Sequence, residues 1–464
     1  IPVFYISRPI LTAVFVTLAV AAFVALFRES FSSIAQLIIR RLIREKPALS
    51  TQVPTISASR SGREISAQRL FPYLILAASV ALGLAVALYP YTVAGVEGVL
   101  GSDSWFYLQN LRSMNTLADG IRLLHTDRGF FLIVLFLVRI ATGLSPEWVV
   151  RLMPALLSAM LAVSSFVLVK EGTGRSWVAA FAALLSVVSA QTSLGMGGGI
   201  ITNWFALSLA SLTFALIIRS IRLHSAVAAV GSLAFSLVLL ASYAWLWAIV
   251  IGVLVLALLA SIISLRKENR REWKYEVSML GGLLFGSLLI PVAFLYLAAI
   301  PLLGFRPEGL DPRTWLGMGW GHVTGGATPQ VLASALLAIE EAFDFAGNRA
   351  DLPFLTILSI LGMLDLQQTQ ARSFRRIIAA TVLVAVAATL ITPGLRTWRG
   401  LYLVPMYLMG ALGAETVIRG VNGQQSHWSS YDRLAFAGTF AAYIFLSHLS
   451  YSLRALELLI LAGS

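Results

Sequence analysis

At 464 residues, 58% of them hydrophobic and 12% charged, with a mean hydropathy of +0.83, the chain holds too many long apolar runs for a soluble globular protein. Its net charge of +12 sits in short segments between those runs, where basic residues orient a membrane protein and attract anionic lipid, so it is no sign of nucleic acid. Cysteine is absent, which excludes disulfides, thiolate metal sites and thiol nucleophiles; His125, His224, His322, His427 and His448 are too scattered for a zinc site.

The first residue is Ile, so an initiator Met or a longer N-terminus is expected outside this numbering. Pro9 to Phe27 reads as a span and not as a signal peptide, because no small-residue cleavage site ends it and Arg28 follows at once. From Arg28 to Arg69 arginine and lysine far outnumber acids, which puts this segment in the cytoplasm and the N-terminus outside. Phe31, Ile34, Ile38 and Leu42 recur at helical spacing with Arg40, Arg41 and Arg44 opposite them, as in a helix lying in the interface. Ala48 to Arg63 is a Ser/Thr-rich linker. Residues 1–70 are therefore expected to be an appendage to a body at 71–464.

Phe71 to Tyr91 crosses outward and opens a first external loop, 92–148. Asp103 is the only acid of its polar stretch Gly101 to Arg112, and Trp105, Phe106 and Tyr107 beside it suit headgroup depth. A carboxylate fixed there fits chemistry on a lipid-borne substrate; a solvated surface acid is the alternative. The same loop holds Asp119, His125, Asp127 and Arg128. Phe130 to Leu144 is short and carries Arg139. Counting it as a crossing would send every later basic loop outside, so it is expected to lie in or dip into the outer leaflet.

The spans that follow are about Val149–Val169, Ser176–Leu194, Trp204–Ile218, Ala226–Ala241, Trp245–Leu265, Val277–Ile300, Leu352–Leu364, Ile377–Thr392, Leu401–Ile418 and Leu434–Tyr451. They are too long and uniformly apolar for barrel strands, and in lipid only helices then satisfy the backbone. The expected fold is an all-α polytopic membrane protein of about twelve transmembrane helices, with outer-leaflet helices in the first external loop. Lys170 and Arg175, Arg219 and Arg222, Arg266 to Lys274, Arg372 to Arg376, and Arg419 with Arg433 then share the cytoplasmic face. Glu415, four residues before Arg419, reads as half of a local helix ion pair.

Three external features remain. Gly195 to Trp204 is a glycine-rich loop facing the Asp103 loop; it lacks a phosphate-loop lysine, so flexibility or close helix packing is its expected role. The late external loop, 301–351, contains His322, and its glycine-rich middle, Gly317 to Thr328, reads as a mobile lid or as an ordinary connection. Pro393 to Gly400 presents Arg396, Trp398 and Arg399 on a face that membrane proteins deplete of positive charge. Their guanidiniums suit a lipid phosphate or pyrophosphate, with a headgroup anchor as the alternative. Most tryptophans, Trp105, Trp148, Trp204, Trp245 and Trp247 among them, map to this side, which fits an interfacial belt and an external carbohydrate site.

Taken in order, these parts resemble the GT-C membrane glycosyltransferases, and among them the catalytic subunits of oligosaccharyltransferases. Ser102-Asp103-Ser-Trp-Phe-Tyr-Leu-Gln-Asn-Leu-Arg112 is similar to that family's first external loop, an acid followed by aromatics and an Arg. Arg151-Leu-Met-Pro154, the turn from Lys170 to Arg175, and Arg396-Thr-Trp-Arg399-Gly-Leu-Tyr-Leu-Val-Pro405 resemble later landmarks. The likeness runs from Phe71 to Gly420. Two departures stand out. Gly199-Ile-Ile-Thr202-Asn203-Trp204 replaces a loop in which the family has an acidic pair that helps bind a divalent metal. The family's soluble domain after the last span, with its Trp-Trp-Asp-Tyr-Gly signature, has no counterpart before Ser464.

The resemblance implies an enzyme of the cell membrane, acting at the extracytoplasmic face on a polyprenyl-linked sugar donor and an acceptor that is protein, glycan or lipid. Asp103 is the expected catalytic residue, orienting or deprotonating the acceptor directly or through Mg or Mn, and Arg396 and Arg399 bind the lipid phosphate. Trp105, Tyr107, Arg112, Asn203, Trp398 and His322 are the remaining substrate candidates. A non-catalytic scaffold subunit and a transporter of lipid-linked substrate are the alternatives; the transporter would need polar groups midway through several spans, and these are nearly absent.

Overall fold

The computed structural model of the chain describes residues 64–101, 103–123, 128–263, 270–298, 352–365, 372–391, 402–424 and 429–463. All regular structure among them is helical. The expected first span, the interfacial helix and linker, the late external loop with His322, and the segment with Arg396, Trp398 and Arg399 lie outside the described residues.

The chain runs as α1 (Glu64–Thr92), α2 (Ser104–Ser113), α3 (Leu117–Arg122), α4 (Gly129–Thr142), α5 (Pro146–Thr173), α6 (Ser176–Val187), α7 (Ala190–Gly197) and α8 (Ile201–Leu223). It continues as α9 (Ala226–Ser242), α10 (Ala244–Ile263), α11 (Arg270–Ala298), α12 (Leu352–Asp365), α13 (Arg372–Ile391), α14 (Met406–Gln424) and α15 (Ser430–Gly463). Among the described residues five stretches are long and apolar enough to cross a bilayer: Leu70–Thr92, Pro146–Thr173, Ser176–Gly197, Ile201–Leu223 and Ala244–Ile263. α4 and α9 are apolar but shorter. α5 is central, packed on α1, α6 and α8. Apolar side chains fill the space between these helices, with Leu161, Ala179, Leu185, Ala206 and Ile218 buried along the contacts.

The run expected as one span, Ser176–Leu194, breaks at Val188 and Ser189 into α6 and α7. Its hydroxyls explain the break: Ser189 Oγ and Thr192 Oγ1 both donate to the Ser186 carbonyl, at 2.6 and 3.0 Å, in place of the regular ladder.

Ion pairs join the segments expected to share the basic face. Glu171 meets Arg219 and Arg222 at 3.4 and 2.5 Å. Glu415 lies 3.6 Å from Arg419, the local pair read from the sequence, but only 2.7 Å from Arg175 at the start of α6. Arg376, read as a charge of a cytoplasmic segment, is instead buried within the bundle. Its Nη1 donates to Glu276 Oε1 at 2.6 Å and Ser261 Oγ at 2.9 Å, tying α13 to α11 and α10. α13 begins at Arg372, so Arg376 has already entered the packed helix, where a guanidinium requires a carboxylate partner. At this end α5, α8, α11 and α13 surround a cavity of about 460 Å³.

Candidate functional site

The opposite end is assembled around Asp103. This residue occupies the N-cap of α2, where an aspartate side chain ordinarily accepts from an amide of the first turn; here no such cap is made. The carboxylate turns to Arg128 at the start of α4, with Oδ2 3.0 Å from Nη2. Arg128 Nη1 donates to the Tyr107 hydroxyl at 3.2 Å, and that hydroxyl shares a 2.5 Å hydrogen bond with Thr202 Oγ1 in the first turn of α8. The guanidinium also lies over the Phe106 and Tyr107 rings, 5.2 and 5.6 Å from their centroids. Tyr107 and Thr202 are fully buried. Burial pushes the Tyr107 hydroxyl up to about 12, against the opposing pull of the Arg128 charge, so it stays a neutral phenol that can both donate and accept.

Backbone contacts lock the same two segments together. The Asp103 amide donates to the Gly198 carbonyl at 3.3 Å. Gly101 and Gly199, at φ +85° and +64°, approach so closely that a Cβ on Gly101 would collide with the Gly199 backbone and one on Gly199 with Ser104 on the Asp103 segment. The expected opposition of the Asp103 loop and the glycine-rich loop is therefore present, but the second loop is tighter than its sequence suggests. α7 runs to Gly197 and α8 starts at Ile201. Trp204, expected in an interfacial belt, is wholly buried with its ring against Gly195.

Further ties fix the loop. Arg139, the residue that made α4 awkward to read as a span, donates through Nη1 to the Leu111 and Met114 carbonyls at 2.9 and 3.0 Å, satisfying acceptors at the end of α2. Arg112 pairs with Glu147 at 2.7 Å, which accounts for it as a fastener between α2 and α5. Arg151 Nε donates to the Gly98 carbonyl at 3.1 Å. Trp105 is exposed beside Asp103; Asn203 is buried, and no hydrogen bond joins its side chain to a described residue.

The late arginines themselves are outside the described residues, but Tyr402, three positions beyond Arg399, is anchored. Its hydroxyl donates to the Gln191 carbonyl at 3.0 Å, and Gln191 Nε2 donates back to the Tyr402 and Val404 carbonyls. Gln191 belongs to α7, the helix that ends beside Gly198; seven residues of helix separate the two by roughly 10 Å. Neither Arg128 nor Gln191 stood out in the sequence. Arg128 was one charge among several in the loop that holds Asp103, and nothing in the sequence marked Gln191.

Among the described residues the donor set around Asp103 does not fit a divalent metal. Asp103 is a single carboxylate already paired with a guanidinium, and the neighbouring loop offers Thr202 and Asn203, not acids. Among the described residues no three His, Asp or Glu side chains gather. A dication about 4 Å from that guanidinium would meet a repulsion of about 8 kcal/mol at an effective dielectric of about 20.

No family model matches the chain, and no curated protein matches it in sequence. Among solved structures it is similar in fold to the oligosaccharyltransferase AglB of Archaeoglobus fulgidus, in complex with an inhibitory peptide and a dolichol-phosphate. That match has a TM-score of 0.51 and 11% identity over 84% of this chain and 56% of the other. The apo form of the Archaeoglobus fulgidus oligosaccharyltransferase gives 0.50 and 12%, over 83% and 56%. The chain thus spans little more than half the length of these proteins, and the likeness is one of fold.

Proposed function

We propose that the chain is a GT-C-type glycosyltransferase that moves a sugar or glycan from a polyprenyl-phosphate donor to an acceptor at the extracytoplasmic face. The observation that carries this reading is the Asp103 carboxylate, withheld from its helix cap and held by Arg128 at the junction of two loops, in a fold shared with an oligosaccharyltransferase. The dolichol-phosphate bound to the Archaeoglobus fulgidus protein supports a polyprenyl-linked donor.

In this reading the bond between the anomeric carbon and the lipid phosphate oxygen breaks, and its electron pair leaves with the phosphate. The acceptor's nucleophilic atom bonds to the anomeric carbon, and its proton passes to Asp103. Arg399, assisted by Arg396, stabilises the charge that grows on the departing phosphate. Tyr402, in the segment that follows these arginines in sequence, is anchored to α7, the helix that leads into the second loop.

Purified protein in liposomes, given a labelled polyprenyl-phosphate sugar and candidate acceptors, is expected to form a covalent product, and Asp103→Ala to abolish it. Movement of the lipid-linked sugar between leaflets without a product would mean transport. Neither outcome would leave the scaffold reading, which is favoured by the missing acids of the second loop.

A further inference from the structure

We infer that Arg128 takes the place at Asp103 that a divalent metal would hold, so that the site carries its own cation and works without Mg or Mn. The inference rests on the transferase reading for its functional half; its binding half is independent of that reading.

A neighbouring positive charge fixed in space holds a carboxylate in one orientation toward a nucleophile, and a metal ion is one way to supply it. Here the charge comes from the chain. Arg128 contacts Asp103 through Nη2 and Tyr107 through Nη1, so the planar fork is held at two points and cannot swing away without breaking both. Phe106 and Tyr107 flank it, and Tyr107 passes the constraint to Thr202 on α8. The second loop, which would have to contribute carboxylates to a metal, contributes this hydroxyl and the Gly198 carbonyl that holds the Asp103 amide. Hard divalent cations require several oxygen ligands of net negative charge, whereas among the described residues the Asp103 carboxylate meets a guanidinium and no second carboxylate. Arg128 is thus a positioning residue that acts through Asp103.

Manganese is the probe. Mn²⁺ titrated into the purified full chain and followed by electron paramagnetic resonance is expected to show no bound ion at millimolar concentration, with the same result for Asp103→Asn. Transfer is expected to survive EDTA unchanged. Arg128→Ala is expected to lose about a hundredfold or more in turnover, and Arg128→Lys, which keeps a charge, to recover about tenfold of that. Added metal should rescue neither. Stoichiometric Mn²⁺ bound by the wild type and released by Asp103→Asn would overturn the inference, as would EDTA-sensitive transfer restored by Mn²⁺. If Arg128→Ala does not fold, the Mn²⁺ titration of the wild type decides alone. Absence of both bound Mn²⁺ and any transfer product would sink the proposed function and leave the metal-free site standing.

Discussion

Gly101 and Gly199 meet backbone to backbone, both at positive φ, and this contact joins the loop that carries Asp103 to the start of α8. A methyl group at either position has no space, and both conformations are strained for an L side chain. Gly101→Ala and Gly199→Ala are each expected to cost about 2 kcal/mol or more, read as a lowered thermal midpoint in detergent. Gly98→Ala, on the same loop with nothing within 4 Å of its added carbon, should stay close to wild type. Equal stability of all three variants would refute the docking.

Tyr107 makes the second contact across this junction, and its ionisation can be read. The phenol of an unfolded chain ionises near 10, and burial holds the folded group neutral up to about 12. Between those values the folded state keeps a proton that the unfolded state has lost. The stabilisation is therefore complete below pH 10 and declines as pH rises toward 12, by about 2–3 kcal/mol in all. Tyr107→Phe should remove this slope from the difference between the two proteins' unfolding curves. At neutral pH it should cost about 1–3 kcal/mol, because Thr202 and Arg128 lose a buried partner.

These two contacts show how far the sequence could be read. A polar stretch with one acid following an apolar run, and a glycine-rich stretch at the end of a later run, were enough to put both loops on one face. Their pairing was not legible, because it depends on two backbones at positive φ and on a tyrosine–threonine bond between residues nearly a hundred positions apart. Arg128 was visible only as one cation among several in its loop. Arg139 looked like an obstacle to membrane burial until α2 supplied the carbonyls that it satisfies. Polar groups inside a bundle acquire their meaning from partners on other helices, which periodicity along one helix does not encode.

Arg376 and Glu276 illustrate the same dependence at the basic end. Their side chains are 2% and 11% exposed, at 2.6 Å. Arg376→Met strands a buried carboxylate and is expected to destabilise by about 3–5 kcal/mol. The double variant Arg376→Met, Glu276→Leu should recover most of that loss, since apolar replacement of a buried pair is often neutral. A double variant as unstable as the single one would show that the charges do more than match each other.

Glu415 has two arginines within reach, and its distances predict an unequal division. A double-mutant cycle with Arg175, at 2.7 Å, is expected to give a coupling near 1 kcal/mol. The cycle with Arg419, at 3.6 Å along the same helix, should give about 0.3–0.5 kcal/mol. The reverse order would return Glu415 to the purely local role its spacing suggests.

The orientation in the membrane is the condition on which the chemistry depends, and the absence of cysteine makes it simple to test. A single introduced thiol reports alone. Ser113 and Lys274 are both exposed, the first at the far end of the helix that Asp103 begins and the second on α11 next to the cavity at the basic end. If arginine and lysine hold the basic end in the cytoplasm, an impermeant maleimide applied to intact cells should label Ser113→Cys and should reach Lys274→Cys only after permeabilisation. Labelling in the opposite order would put Asp103 in the cytosol. A donor presented in the outer leaflet could not then reach it, whatever the arrangement of Arg128, Tyr107 and Thr202.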